Sequence, residues 1–443
     1  MASTYATRTM GTPTDATKQT MSVWVKLSAN DNYGGIVSSQ FNSTAGGAGH
    51  FTGNNESIYS NWTTNDGGST NAETLTSALG RDFSGWYHIV SVQDATQSGN
   101  DKSKIWINGV LQTDFGNDNR SNFTSHSNWF ASGKTLYVGS KFDDTLHFNG
   151  IMSHLHLCDG YAYTASDFGS FDSTTGEWKI NTSPSVSYGN QGFFIFKDNN
   201  SLTDQSGNGN NFSLGSGTIT KTEDCPSNVF CTMNPLMVNP SATNTFANGN
   251  NTVTINPTDA SVGATLGANS GKFYWEQKWT QQGANDRWGV IPDDAVLTNH
   301  PRTTGIGWDT ASSQFYLLGS AVSGSWGGSI GTSDIIQIAL DLDNSALYLG
   351  VNGTYRNSGS PTSGSSKTGA VDFSSSSLVG KHLLPACGKG NQDTTTMQYN
   401  FGNGYFGTTA VSSAGTNASN IGIFEYDVPA GYTALSTKGI NSF

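Results

Sequence analysis

The sequence has little charge. Lys, Arg, Asp and Glu make up 12% of its 443 residues, 21 basic against 33 acidic, for a net charge of −12. With no run of Lys or Arg, it lacks the basic footprint that nucleic-acid binding needs. No apolar stretch approaches the ~18 residues of a membrane span. The opening "MASTYATRTMG" has no apolar core of the kind a signal peptide carries, so synthesis and retention in a cytoplasm, or release by lysis, are expected. The four cysteines, Cys158, Cys225, Cys231 and Cys387, form no CxxC pair. Cys225 and Cys231 are close enough to close a small loop, but free thiols are expected in a cytoplasm. HExxH, G-x-S-x-G and a P-loop are all missing. Helical periodicity is nearly absent too.

Gly is abundant (54 residues), Ser, Thr and Asn are frequent, and aromatics reach 11%. A disordered chain of this polarity would lack those aromatics. The mixture suits many short strands joined by tight turns. Period-two runs bear this out along the chain. "MSVWVKL" places Met21, Val23, Val25 and Leu27 on one face and Trp24 on the other. "WYHIVSV" alternates in the same way. "KIWINGVLQTDF" reads as strand, Asn108-Gly109 turn, strand, since a type I′ hairpin turn needs positive φ at both positions. In the second half, "GKFYWEQKW" sets Phe273, Trp275, Gln277 and Trp279 against Tyr274, Glu276 and Lys278. "DIIQIALDLDNSALYLGVNGTY" reads as one long hairpin turning at Asp343-Asn344, then at Asn352-Gly353, and "DVPAGYTAL" closes the domain.

Between these halves the character changes from about Gly215 to Gly271, where a stretch rich in Thr, Asn, Ser and Pro reads as an extended connector with some strand, the domain boundary lying inside it. The expected fold is all-β, with two antiparallel β-sandwich (jelly-roll) domains. Residues 1–215 form the first domain, 216–245 the connector and 246–443 the second domain.

The stretch "FNGIMSHLHLCDG" (Phe148–Gly160) gathers metal-binding residue types. As a strand it points Met152, His154, His156 and Cys158 one way and Ile151, Leu155 and Leu157 toward the core. Histidines at i and i+2 can share a metal, but a structural zinc site normally takes four ligands. We read the face as solvated or covered by a partner, with no metal and no cofactor.

Two family resemblances follow from these segments. "MSVWVKLS", "GWYHIVSVQD", "KIWINGVLQTDF" and "LYVGSKFDDTLHFNGIMSHLHLCDGYAYTASDFG" resemble the laminin-G-like, concanavalin-A-like jelly roll. "GFFIFKDNNSLTDQSGNGNNFSL" (Gly192–Leu214) resembles the stretch that normally opens such a domain, yet here it comes last. The resemblance therefore implies a circularly permuted first sandwich, with Phe193–Phe196 returning beside the first strands. "GKFYWEQKW", "RWGVI", "GIGWD", "DIIQIALDLDNSALYLGVNG" and "LLPACG…MQYNFG" resemble a SPRY domain. The order of these segments, with "TTGEWK", "YGNQGFF", "SGNGNNF" and "FCTMNPL" between them, resembles structural proteins of marine bacteriophages.

Jelly rolls also host glycoside hydrolases, which need two carboxylates ~5–9 Å apart. Glu56, Glu73, Glu177, Glu223, Glu276 and Glu425 are isolated in sequence, so no enzyme is expected. Calcium wants six to eight oxygens, and the pairs Asp143-Asp144 and Asp293-Asp294 read better as solvated turns. Aromatics in polar, Gly-rich loops are the remaining signal. Trp62 and Asp66 lie in "SNWTTNDGG", Trp129 in "HSNWFASG" and Trp326 in "SGSWGGS". An exposed Trp offers a face on which a sugar stacks while Asn and Asp bond its hydroxyls. The competing reading is that these indoles plug the ends of the sandwiches. The candidate ligand-binding set is Trp62, Asp66, Trp129, Asp143, Asp144 and Trp326.

The resemblances imply a non-enzymatic virion surface protein, decorating a capsid or forming a short appendage. Its expected partners are other virion proteins and cell-surface glycans, with the protein in many copies or as a homo-oligomer and assembled in the host cytoplasm. A receptor-binding tail fibre and a glycan-cleaving enzyme are the alternatives. Neither heptads nor β-solenoid repeats of a long fibre are present.

Overall fold

Alternating apolar side chains drive the first half of the chain into two facing sheets. The computed structural model describes residues 4–28, 33–40, 47–53, 57–62, 72–197, 201–256, 260–283, 285–390 and 393–443. The chain divides into two compact units, Met1–Thr220 and Lys221–Phe443. Strands dominate both. Among the described residues the α-helices are the single turns Ala165–Phe168, Pro301–Thr304 and Thr437–Ile440, and no helix is long and apolar enough to cross a membrane.

In the first unit a six-stranded sheet runs in the order Phe193–Ile195, Gly150–Asp159, Lys18–Leu27, Tyr87–Asp94, Ser103–Ile107, Val110–Leu111. An eight-stranded sheet runs Phe115–Asp118, Thr74–Thr76, Ser60–Trp62, Gly47–Phe51, Gly35–Gln40, Thr135–Val138, Tyr5–Thr9, Ser213–Ser216. Met21, Val23, Val25, Leu27, Ile89 and Ile105 meet Ile36, Val37, Leu136 and Val138 in one buried core. Asn108 and Gly109 take φ of 47° and 76°, as the type I′ hairpin turn requires.

The strand Phe193–Ile195 pairs antiparallel with Gly150–Asp159, Leu155 opposite Ile195, so it lies within the first sandwich as a permuted order requires. The "DQSGNGNN" loop after it serves that strand. The Asp204 carboxylate accepts N–H groups of Phe194, Ser206 and Asn210, each at 2.9 Å. The Asn208 and Asn210 amides donate to the carbonyls of Gly189, Asn190 and Gly192. The loop is a clamp on the turn that precedes the strand.

Two expectations about the histidine strand are corrected. The pairing of Gly150–Asp159 with Lys18–Leu27 shifts register between Ser153 and His156, and His154 has φ of 48°. This bulge adds one residue and so flips the alternation. Met152 consequently packs on the same core as Leu155 and Leu157, not on the histidine side. The histidine side is also neither solvated nor left for a partner. Residues 161–190 of the same unit lie over it. Val90, Val92, Cys158, Ala165 and Phe168 form a second, smaller core there, with Trp106, Tyr163, Trp178, Val186 and Tyr188 packed against it.

The second unit repeats the two-layer plan. One sheet runs Met233–Val238, Ala260–Ala264, Leu383–Lys389, Asp286–Pro292, Ile306–Asp309, Gln314–Leu317, Ser320–Ala321. The other runs Asn244–Ala247, Thr252–Ile255, Thr395–Asn400, Lys272–Gln281, Ile336–Asp341, Ala346–Val351, Thr354–Tyr355. Its strand Met233–Val238 comes from the Pro- and Asn-rich stretch 216–245. Trp275, Trp279, Trp288, Trp308, Phe315 and Trp326 fill the space between the sheets. The outer face of Lys272–Gln281 is covered too, where Tyr274 packs with Tyr348, Phe424 and Tyr432. The tail contributes Thr433–Ala434, parallel to Lys272–Gln281. The hairpin Ile336–Asp341/Ala346–Val351 turns where Asn344 N–H bonds the Asp341 carboxylate at 3.0 Å.

Candidate functional site

Trp62 and the turn that carries Asp143 and Asp144 both lie on the outer face of the eight-stranded sheet. In Gly47–Phe51, Ala48 packs inward in the core. His50 points inward too, bonded to Gln19 of the facing sheet. Alternation therefore turns Gly47, Gly49 and Phe51 outward. Trp62 stands opposite Gly49 and so shares that face. Its indole stacks on Phe51, with ring centroids 4.3 Å apart and 29° between planes. Tyr33 meets it edge-on at 4.6 Å. Trp62 is half-buried, so these rings orient it and leave part of it accessible.

The turn holding Asp143 and Asp144 folds back over the same face. Phe148 N–H bonds the Gly139 carbonyl at 2.9 Å and closes the turn. Lys141 and Phe142 lie over Gly47, where an added Cβ would stand 2.9 Å from Lys141 Cε and 3.3 Å from Phe142 Cδ1. Both carboxylates already have partners. Lys141 Nζ is 2.8 Å from Asp143, which Thr145 also bonds. His147 Nε2 is 3.4 Å from Asp144. Partial burial pushes the Asp143 carboxyl up, but the bonds from Lys141 and Thr145 outweigh it and leave its pKa below the ordinary value. Asp66 lies outside the described residues.

Trp129 and Trp326 are placed elsewhere. Trp129 is 0% exposed and Trp326 3% exposed. Trp129 donates its N–H to His126 Nδ1 at 3.1 Å and sets its edge against His50. Trp326 donates to the Val322 carbonyl at 3.0 Å and meets Phe315 edge-on at 5.0 Å. Both indoles plug a sandwich and offer no face to a sugar. At Trp326 the Gly-rich sequence marks a close approach of backbone to ring, since a Cβ on Gly324 would stand 2.8 Å from the indole.

The histidine side of the six-stranded sheet is a buried polar seam. His88 Nδ1 accepts the Trp178 indole N–H at 2.9 Å, and His88 Nε2 is 2.8 Å from Ser22 Oγ. Burial, then His154, pushes the His88 pKa down to about 3. His156 Nδ1 is 2.8 Å from the Tyr188 hydroxyl, and its ring stacks on Phe194 at 3.8 Å. Burial, with His154, His88 and Lys197, holds it well below the ordinary value. Among the described residues no group of three or more His, Cys, Asp or Glu is arranged to hold a metal ion.

Glu276 is the notable carboxylate of the second unit. It is fully buried and receives four donors: the N–H groups of Glu425 and Tyr426, both at 2.8 Å, the Tyr274 hydroxyl at 2.9 Å and Asn400 Nδ2 at 3.2 Å. Burial pushes its pKa up to about 7, against the pull of those bonds. Glu425, isolated from it in sequence, brings its backbone; its own carboxylate binds Ser412. Glu276 therefore acts as an anchor for the C-terminal segment.

Sequence reasoning missed Tyr33 and Phe51 as the partners of Trp62. The alternation of "GAGHF" against "SNW" carried the signal, since it sets Phe51 and Trp62 on one face.

No family model matches the chain, and no curated protein does. Among solved structures it is similar to the SPRY domain of human HERC1, with 14% identity and a TM-score of 0.28 over 38% of this chain and 96% of that one. It is similar too to the TRIM65 PSpry domain, with 14% identity and a TM-score of 0.29 over 38% of this chain and 91% of that one.

Proposed function

We propose that the protein is a non-enzymatic surface component of a bacteriophage particle that holds glycan weakly and in many copies. The observation that carries this reading is the oriented, half-buried Trp62 on Phe51 and Tyr33, on the sheet face over which the polar turn of Asp143 and Asp144 also folds. A ring fixed in this way presents a flat apolar face at little entropic cost, and nearby carboxylates and amides accept hydroxyl hydrogens. One such site binds weakly, since each hydrogen bond nets only ~1 kcal/mol against water. Display of many copies raises avidity by ~10²–10⁴. The first unit is then the glycan-binding sandwich of laminin-G-like type, and the second, SPRY-like unit faces other virion proteins.

The test compares purified protein with Trp62→Ala on immobilised bacterial surface polysaccharides. Loss of at least ~10-fold in binding, from one lost aromatic stack amplified by avidity, with an unchanged melting temperature, is the expected result. Equal binding by the two proteins, or release of new reducing ends from the polysaccharide, would overturn the reading.

A further inference from the structure

One hairpin of the cover over the six-stranded sheet is anchored by a single indole, through a hydrogen bond to His88 and its packing on the small outer core. It is the hairpin Gly169–Phe171/Trp178–Ile180, paired Gly169 to Ile180 and Phe171 to Trp178. Much of it is exposed, with Phe171 53% exposed and Asp172 paired to Lys179 at the surface. Its inward anchor is Trp178. The indole fits where Gly109 and Gly169 leave room, since a Cβ on either would stand 2.3 Å or 2.6 Å from the ring. An indole N–H can only donate, so the His88 Nδ1 that receives it must be unprotonated. The proton then sits on Nε2, facing Ser22 Oγ.

From this geometry we propose that the hairpin is an acid-released latch: protonation of His88 at Nδ1 expels the Trp178 indole and lifts the hairpin from its part of the outer face of the six-stranded sheet. A proton there sets two N–H donors against each other, and the cation gains hydration only if the indole leaves. Among the described residues no carboxylate is bonded to the ring. Strand Lys18–Leu27 brings Lys26, on the same face as Trp24 and Ser22, and strand Ser103–Ile107 brings Lys104. Strand Gly150–Asp159 brings His154 and His156, and His154 works against a second positive charge. Lys197 acts on His156 in the same sense. The hairpin carries Asp172, Glu177 and Lys179, of which Asp172 and Lys179 bond each other. The bonds of the His88 ring go to Ser22 and Trp178, and neither is a carboxylate. The Trp24 face, stacked on His88 at 4.6 Å, favours a cation but cannot accept its N–H.

With the latch shut, burial holds His88 at about 3; with it open, the ring returns to ~6.5. Opening is then favoured by about 100-fold more at pH 4.5 than at pH 7. The proposal does not depend on the glycan reading. The test is amide hydrogen exchange of the whole protein at both pH values, corrected for the intrinsic rates. Amides of 169–180 should lose about 100-fold in protection at pH 4.5 and exchange with little dependence on added denaturant, as a local opening does, whereas those of Lys18–Leu27 should exchange through denaturant-sensitive unfolding of the unit. His88→Gln, whose amide oxygen accepts from Trp178 and takes up no proton, should hold the hairpin at both pH values. Trp178→Phe should loosen it already at pH 7. Unchanged protection at pH 4.5, an equal loss in His88→Gln, or hairpin exchange with the same denaturant dependence as the Lys18–Leu27 amides would each overturn the latch.

Discussion

His50 Nε2 lies 3.0 Å from the amide oxygen of Gln19, although the two residues belong to opposite sheets of the first sandwich. Its Nδ1 faces the Tyr59 hydroxyl at 2.6 Å and Asn61 Nδ2 at 3.2 Å. Asn61 in turn accepts from Gln93 Nε2 at 2.9 Å, back on the first sheet. This polar tie uses the neutral ring: Nε2 donates and Nδ1 accepts.

Stability of the first unit should therefore depend on pH in a defined direction. Burial lowers the His50 pKa to about 3 in the folded chain, against ~6.5 unfolded. The unfolded state takes up the proton first. Stability is complete above ~6.5 and falls as the pH drops toward the folded value. His50 and His88 should each remove about 2 kcal/mol between pH 7 and pH 5. Denaturant midpoints at the two pH values measure this, and equal midpoints would contradict it.

Trp129→Ala and Trp326→Ala should each destabilise their own unit by about 3–5 kcal/mol, because each empties a closely packed site. Calorimetry of the two variants should show two different transitions lowered. A Trp129→Ala protein that melts with the parent would mean that the indole is not the plug described.

Glu276→Gln should weaken the C-terminal anchor by about 2–4 kcal/mol. The amide keeps one acceptor and turns an NH2 group toward donors that the carboxylate had satisfied. Exchange of amides in 412–428 should accelerate, with little change in the first unit. Uniform protection in the variant would remove Glu276 as the anchor.

Asp204→Ala should lower the stability of the first unit by about 2–3 kcal/mol, since three backbone N–H groups lose their acceptor. Glycan binding should be retained, because the loop clamps a turn. A variant that folds with parental stability but no longer binds would move the ligand site to the "SGNGN" loop.

Much of the architecture was legible because a half-buried strand writes its own period. Met21, Val23, Val25 and Leu27 declare their face, and Asn108-Gly109 declares its turn. The bulge at His154 was not legible, since one inserted residue leaves no local mark and shows only as a lost phase between Met152 and Leu155. The cover over His88 and His156 was hidden for a different reason. It comes from residues 161–190, and no short-range pattern tells a strand which distant segment will lie on it. Of the candidate set, Trp62 closes the strand Ser60–Trp62 and Asp143-Asp144 sit in an exposed turn, as their polar surroundings in the sequence suggest. The same criterion misplaced Trp129 and Trp326, because a Gly-rich loop surrounds a buried indole as readily as an exposed one.

The strand Tyr5–Thr9 lies between Thr135–Val138 and Ser213–Ser216. A ribosome delivers those three segments far apart in time. At ~5–20 residues per second, the first strand waits about 10–40 s for its last neighbour. Throughout that interval the nascent chain carries an open sheet edge, and Gly150–Asp159 waits likewise for Phe193–Ile195. Crowded polysomes making this protein would then bring many such edges together. A holding chaperone, or slow initiation that spaces the ribosomes, should raise the yield of folded protein more than any stabilising substitution in the finished core.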